Sequence, residues 1–200
     1  MLTTDTHERT ARERLEALQL ERLQATIGRL LDHVPLPRKR LHDAGVRAAS
    51  DVRTFEDLPR LPFCSKADLR EHYPLGLLAV PRERLVRVHA SSGTGGRPTI
   101  VGYTERDLDV WTTVMARSMA MAGVRAGMVV HNALGYGLFT GGLGFHQGAE
   151  RLGAMVVPAG GGMTPSVSTP AVIGLPRRWS LRGARLGSTS FVLAALRALH

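Results

Sequence analysis

The sequence is short of cysteine, lysine and aromatic residues, and each shortage narrows what the chain can be. Its 200 residues hold one cysteine, Cys64, which excludes a disulfide framework and fits a reducing cytoplasm, the expected location. No run approaches the ~18 consecutive apolar residues that a membrane-crossing helix requires, so no membrane partner is expected. The opening Met1–Glu8 stretch has neither a basic start nor an apolar core and does not read as a signal peptide. Only Lys39 and Lys66 are lysines, so the basic character rests on arginine. Aromatics make up 5% of the chain, and its Arg-rich last 36 residues interleave only Trp179 and Phe191, which argues against a nucleic-acid-binding tail.

What is present is an ordinary globular composition, 44% hydrophobic and 22% charged, at a length that suits one or two domains. Collagen-like and extensively disordered chains are thereby excluded. The net charge of +9 hints at nucleic acid until it is divided along the chain. Residues 165–200 contain five arginines and no acid, which leaves 21 bases and 17 acids, or +4, for residues 1–164. There, bases and acids interleave over the first 110 residues and form no basic stripe. No nucleic-acid partner is expected.

Apolar periodicity predicts a helix over residues 7–34, with Leu20, Leu23, Ile27, Leu30, Leu31 and Val34 on one face. Pro35 and Pro37 end it. A short segment from Lys39 to Ala44 stops at Gly45, and Ser65-Lys66-Ala67-Asp68 has the form of a capping box opening a brief helix. Composition then changes: 16 of the 22 glycines lie between Gly93 and Gly162. Residues 85–90 alternate as a strand, and the β-branched run at Thr99–Tyr103 reads as a second. Thr104 opens a helix carrying Leu108, Trp111, Met115, Met119 and Ala122 on one face, closed by Gly123. A strand over 128–134, a helix over 138–152 and a strand over 154–158 complete a βαβ unit with parallel strands.

Between the first two strands lies Ser91-Ser92-Gly93-Thr94-Gly95-Gly96-Arg97-Pro98. Glycines let successive backbone N–H groups converge on one anion, the hydroxyls add donors, and Arg97 adds a planar charged fork. The pattern suits a nucleotide polyphosphate, while a ligand-free Ser/Gly hairpin is the structural alternative. It is not a Walker A loop, which requires Gly-Lys-Ser/Thr leading into a helix; here Pro98 and a β-branched run follow. His89, His131 and His146 lack zinc-ligand spacing and read as structural, no metal site is assigned, and Cys64 reads as inert.

The segment from Arg87 to Thr99 resembles the phosphate-loop signature of adenylate-forming ligases. Leu61-Pro62-Phe63-Cys64-Ser65-Lys66-Ala67-Asp68-Leu69-Arg70, Val101-Gly102-Tyr103-Thr104, the run from His131 to Gly144, and Gly148-Ala149-Glu150-Arg151-Leu152-Gly153 narrow the resemblance to phenylacetate–CoA ligases. It departs from that family's pattern at Gly95, where Thr is favoured, and at Arg97, where Lys is commoner.

The resemblance implies an α/β fold: the N-terminal portion of the large domain of an adenylate-forming ligase, with a helical lead-in, a β hairpin and a βαβ unit. It implies ATP-dependent activation of phenylacetate to phenylacetyl-AMP, then transfer to coenzyme A, with ATP, Mg2+ and coenzyme A as the small molecules used and a homodimer as a family possibility. Ser91, Ser92, Gly93, Thr94, Gly95, Gly96 and Arg97 would hold the phosphates. Tyr136 and Phe139 would line an aryl pocket beside Gly141 and Gly142. No catalytic residue is assigned, because the lysine that assists adenylation lies in a C-terminal domain and no lysine follows Lys66.

The expected organisation is a helical lead-in over 1–80, a partial AMP-binding α/β domain over 81–164, and a divergent, out-of-frame tail over 165–200. The tail expectation rests on its Arg/Ser/Pro-rich, acid-free composition and on the end of the resemblance near Thr164. The chain is accordingly expected to be the front part of a ligase, with a non-catalytic nucleotide- or aryl-acid-binding fragment as the alternative.

Overall fold

A computed structural model describes residues 10–91 and 98–160. They fall into two compact units that divide after Thr104. The expected tail at 165–200 lies outside the described residues.

The first unit begins with α1 (Arg12–His33) and α2 (Pro35–Asp43). The prolines act differently from the sequence expectation: Pro35 does not merely stop α1 but occupies the first turn of α2. Its fixed φ and missing N–H suit that position, where no intrahelical partner is needed. α2 closes as expected at Gly45, whose φ of +76° allows the Gly45 and Val46 amides to turn back onto the carbonyls of His42 and Leu41. The apolar stripe of α1 is the heart of this unit. Ile27 packs with Leu41, Val46 and Val52, flanked by Leu20, Leu23, Leu30 and Leu31.

Further along, α3 (Lys66–Glu71) starts with the expected capping box. Ser65 Oγ accepts from the Asp68 amide at 3.2 Å, and Asp68 Oδ2 accepts from the Ser65 amide at 2.6 Å. Strands β1 (Arg87–Ala90) and β2 (Ile100–Tyr103) pair antiparallel, with Arg87 opposite Tyr103 and Ala90 opposite Ile100.

The second unit contains α4 (Glu105–Met121), β3 (Val129–His131), α5 (Gly141–Arg151) and β4 (Met155–Val157). β3 and β4 pair in parallel, Val130 opposite Val156, so the expected βαβ unit forms around α5. β3 is shorter than the expected 128–134 run, because beyond His131 the buried Asn132 side chain supports a turn. The core gathers Met119, Val130, Ala149 and Ala154, with Phe145, Leu152 and Val156 around it.

α5 approaches α4 through two glycines one turn apart. A Cβ at Gly144 would lie 2.8 Å from the Trp111 ring, and one at Gly148 would lie 2.7 Å from Met115 Cβ. Only the absence of those side chains permits this approach. Arg151 then clamps the end of α5 to α4 through the Asp109 carboxylate and backbone carbonyl and the Thr113 hydroxyl.

Candidate functional site

The phosphate-loop expectation falls on the turn between β1 and β2. At its base the Ser91 amide donates to the Thr99 carbonyl at 3.0 Å, and the Thr99 amide donates to Ser91 Oγ at 2.9 Å. The ladder that carries the loop is thus present, and Ser91 serves it with both backbone and hydroxyl. Ser92, Gly93, Thr94, Gly95, Gly96 and Arg97 lie outside the described residues. Within the ladder, β1 buries His89, whose ring meets Tyr103 edge-on at 5.6 Å.

The motif from Leu61 to Arg70 is held from α2. Arg40 forms two hydrogen bonds to the Asp68 carboxylate, at 2.8 and 2.7 Å, and a third to the Phe63 carbonyl at 3.1 Å. Asp68 is 5% exposed. The Arg40 guanidinium, followed by the Ser65 amide, holds its carboxyl well below the usual carboxylate range. This geometry identifies Asp68 as an anchor that fixes the motif, while the Phe63 side chain itself is 93% exposed.

The aryl-pocket expectation falls on the turn between β3 and α5, beyond the carboxyl end of β3. That is where α/β proteins place ligands. Asn132 organises this turn. Its Oδ1 accepts from the Leu134 amide at 3.2 Å, while its Nδ2 donates to the Gly142 carbonyl and to Tyr136 Oη, each at 2.8 Å. Tyr136 Oη also meets His146 Nδ1 at 3.0 Å, and His146 Nε2 meets Glu150 Oε1 at 3.1 Å. The two rings stand edge to face, 5.6 Å apart. Burial pushes the Tyr136 hydroxyl up from its ordinary pKa; the Asn132 bond acts against that shift and the Glu150 charge adds to it.

Of the four residues expected here, the turn brings them together in two pairs. Tyr136 and Gly142 are both tied to Asn132 Nδ2, and Phe139 Cδ1 lies 3.9 Å from where a Gly141 Cβ would be. Phe139 is 61% exposed. At Gly142 the space left by the missing side chain is taken by backbone: a Cβ there would lie 2.4 Å from the Gly135 carbonyl oxygen. Asn132, His146 and Glu150 were not among the expected site residues. His146 read as structural, although its i,i+4 spacing to Glu150 on one helix face was a visible signal. Among the described residues no group of three His, Cys, Asp or Glu side chains could hold a metal ion, and no helix is long and apolar enough to cross a membrane.

Curated proteins of similar sequence share about three quarters of this chain. The phenylacetate–coenzyme A ligase of Thermus thermophilus is 60% identical over 153 residues, which cover 76% of this chain and 34% of that protein. The chain is a partial homologue of the phenylacetate–CoA ligases. The enzyme of the same name from Escherichia coli K12 is 50% identical over 152 residues, covering 76% of this chain and 35% of the relative. The chain therefore spans about a third of the length of the curated phenylacetate–CoA ligases that it matches.

No family model matches the chain. Among solved structures it is similar to 2-hydroxyisobutyryl-CoA ligase in an open conformation, in complex with 2-HIB-AMP and CoA. That likeness has a TM-score of 0.69 at 33% identity and covers 76% of this chain and 36% of the other. The same ligase in its thioesterification state matches with a TM-score of 0.70. The α/β fold expected from the resemblance, the N-terminal part of an adenylate-forming CoA ligase, is therefore the fold of the described residues.

Proposed function

We propose that this chain carries the phosphate-loop and acid-binding portions of an ATP-dependent phenylacetate–CoA ligase. The observation that carries the reading is the 60% identity to a phenylacetate–CoA ligase over three quarters of the chain. In this reaction a carboxylate oxygen of phenylacetate attacks the α-phosphorus of ATP and pyrophosphate leaves. The thiolate of coenzyme A then attacks the acyl carbon of phenylacetyl-AMP, forming the thioester as AMP departs.

Ser91, Ser92, Gly93, Thr94, Gly95, Gly96 and Arg97 would hold the polyphosphate, with hydroxyls and backbone N–H groups as donors and Arg97 as the fixed charge. Tyr136 and Phe139 would border the aryl ring next to Gly141 and Gly142, on the turn that Asn132 braces. Mg2+ would neutralise phosphate charge.

Phenylacetate-dependent pyrophosphate release from ATP, measured on the full chain, tests the adenylation step. Phenylacetyl-CoA formation tests the second step. ATP or phenylacetate binding without release would instead support a non-catalytic binding fragment. Neither binding nor release of pyrophosphate would overturn both readings.

A further inference from the structure

The hydrogen bonds around Tyr136 admit one direction. Asn132 is 4% exposed, and its Oδ1 is identified by the Leu134 amide that donates to it at 3.2 Å. The other branch is therefore the NH2 group, whose two protons go to the Gly142 carbonyl and to Tyr136 Oη. With the phenolic oxygen accepting from Asn132, its one proton is left for His146 Nδ1 at 3.0 Å. That nitrogen must then be unprotonated, and the Nε2–H faces the Glu150 carboxylate at 3.1 Å, a group that only accepts when ionised. Every bond points the same way, from Asn132 to Glu150.

We propose that His146, oriented by Glu150, is a positioning residue whose Nδ1 accepts a hydrogen bond from the Tyr136 hydroxyl, so that Tyr136 stands as a non-donating wall of the acid-binding turn. An aryl acid beside Tyr136 then meets a ring and an oxygen with no proton left to offer. The bare ring of phenylacetate loses nothing there. An aryl acid with an ether oxygen on its ring must give up a water without gaining a donor, so the wall selects against it. The selectivity half of this inference rests on the aryl-acid reading above, whereas the bond direction does not.

The test uses the full chain with tyrosine labelled at the ζ carbon and histidine labelled with nitrogen-15, the three tyrosines being sorted by Tyr136→Phe. In the unsubstituted chain His146 is expected to carry its proton on Nε2, and Tyr136→Phe is expected to perturb its Nδ1 signal. His146→Ala is expected to move the Tyr136 ζ-carbon signal, and His146→Asn, which returns an acceptor near the Nδ1 position, to restore at least half of that shift. A proton on Nδ1 overturns the proposal. So does a Tyr136 signal that stays put in a folded His146→Ala variant. If that variant does not fold, the tautomer and the Tyr136→Phe response decide alone.

Titration with phenylacetate and the methoxyphenylacetates forms the second arm. His146→Ala is expected to raise the affinity for at least one methoxy isomer, relative to phenylacetate, by about fivefold, the worth of one neutral hydrogen bond. An unchanged ratio overturns the selectivity half. A Tyr136 signal that ignores phenylacetate in the unsubstituted chain overturns the aryl-acid reading while the bond direction stands on the first arm.

Discussion

The two units of the chain solve the same problem, holding a loop rigid, with different chemistry. Residues 10–104 rely on carboxylates. Asp51 accepts from the amides of Arg47 and Ala48, Asp57 from those of Arg53 and Thr54, and Asp68 from Ser65 while it binds Arg40. Residues 105–160 rely mainly on glycine and on neutral donors, with the Arg151–Asp109 clamp as a charged addition. Gly144 and Gly148 let α5 sit against α4, Gly142 lets the Gly135 carbonyl in, and Asn132 knits the turn. The first arrangement is strong while its carboxylates are ionised. The second leans less on carboxylates and leaves no room for an added atom at Gly142, Gly144 or Gly148. Charge anchors one unit and space anchors the other.

The largest effect is expected from the aliphatic centre of the first unit. Ile27→Ala removes a side chain that is 3% exposed and packed on Leu41, Val46 and Val52. The expected cost is about 3 kcal/mol, read from urea denaturation followed by amide signals of residues 10–104. Signals of residues 105–160 that fall equally would blur the contrast between the units.

Next comes Gly148→Val in the second unit. Its Cβ would stand 2.7 Å from Met115 Cβ and 3.0 Å from the Ala116 nitrogen, and backbone cannot move aside cheaply. About 2 kcal/mol of destabilisation is expected in the same experiment, now in the signals of residues 105–160. A neutral result would mean that α5 is free to slide on α4.

Acid should separate the units without any mutation. Asp51, Asp57 and Asp68 all have carboxyls held below the ordinary range, Asp51 and Asp57 first by backbone amides and Asp68 first by Arg40. A depressed folded pKa means that the stabilisation is full above the unfolded value of about 4 and is lost as pH falls through the folded value. Lowering pH from about 5 toward 2 should therefore loosen residues 10–104 first, seen as faster amide exchange there. In Asp68→Asn the acid sensitivity should shrink, because one titrating anchor is gone. Equal loosening of both units would sink the distinction. The smallest effect is expected at Gly137, where an added Cβ meets nothing within 4 Å. Gly137→Ala should stay within about 0.5 kcal/mol of the parent, the control that separates crowding from a general intolerance of substitution in this turn.

Much of this architecture was legible in advance because its signals are local. The stripe from Leu20 to Val34, the Ser65–Asp68 box and the glycines closing α2 and α4 each act within a few residues, so spacing alone exposes them. The candidate site was legible only by halves. Tyr136 stood out as an aromatic after a strand, and its turn does form where expected. Its partners did not stand out, because Asn132 and His146 bracket it at separations of four and ten residues that mean nothing until the turn closes.

The sequence by itself determined where most helices and strands lie, that the strands flanking the glycine-rich segment pair, and that the chain resembles phenylacetate–CoA ligases, since motif order and periodicity survive without coordinates. Only the tertiary structure decided that Arg40 reaches across 28 residues to Asp68, that Gly142 makes room for backbone, and that the Tyr136 hydroxyl is already engaged by its own neighbours. The physical reason is reach. Helix propensity, caps and strand alternation arise from neighbours along the chain, whereas the charge state, crowding and donor direction of a side chain depend on what packing brings to within about 3 Å of it.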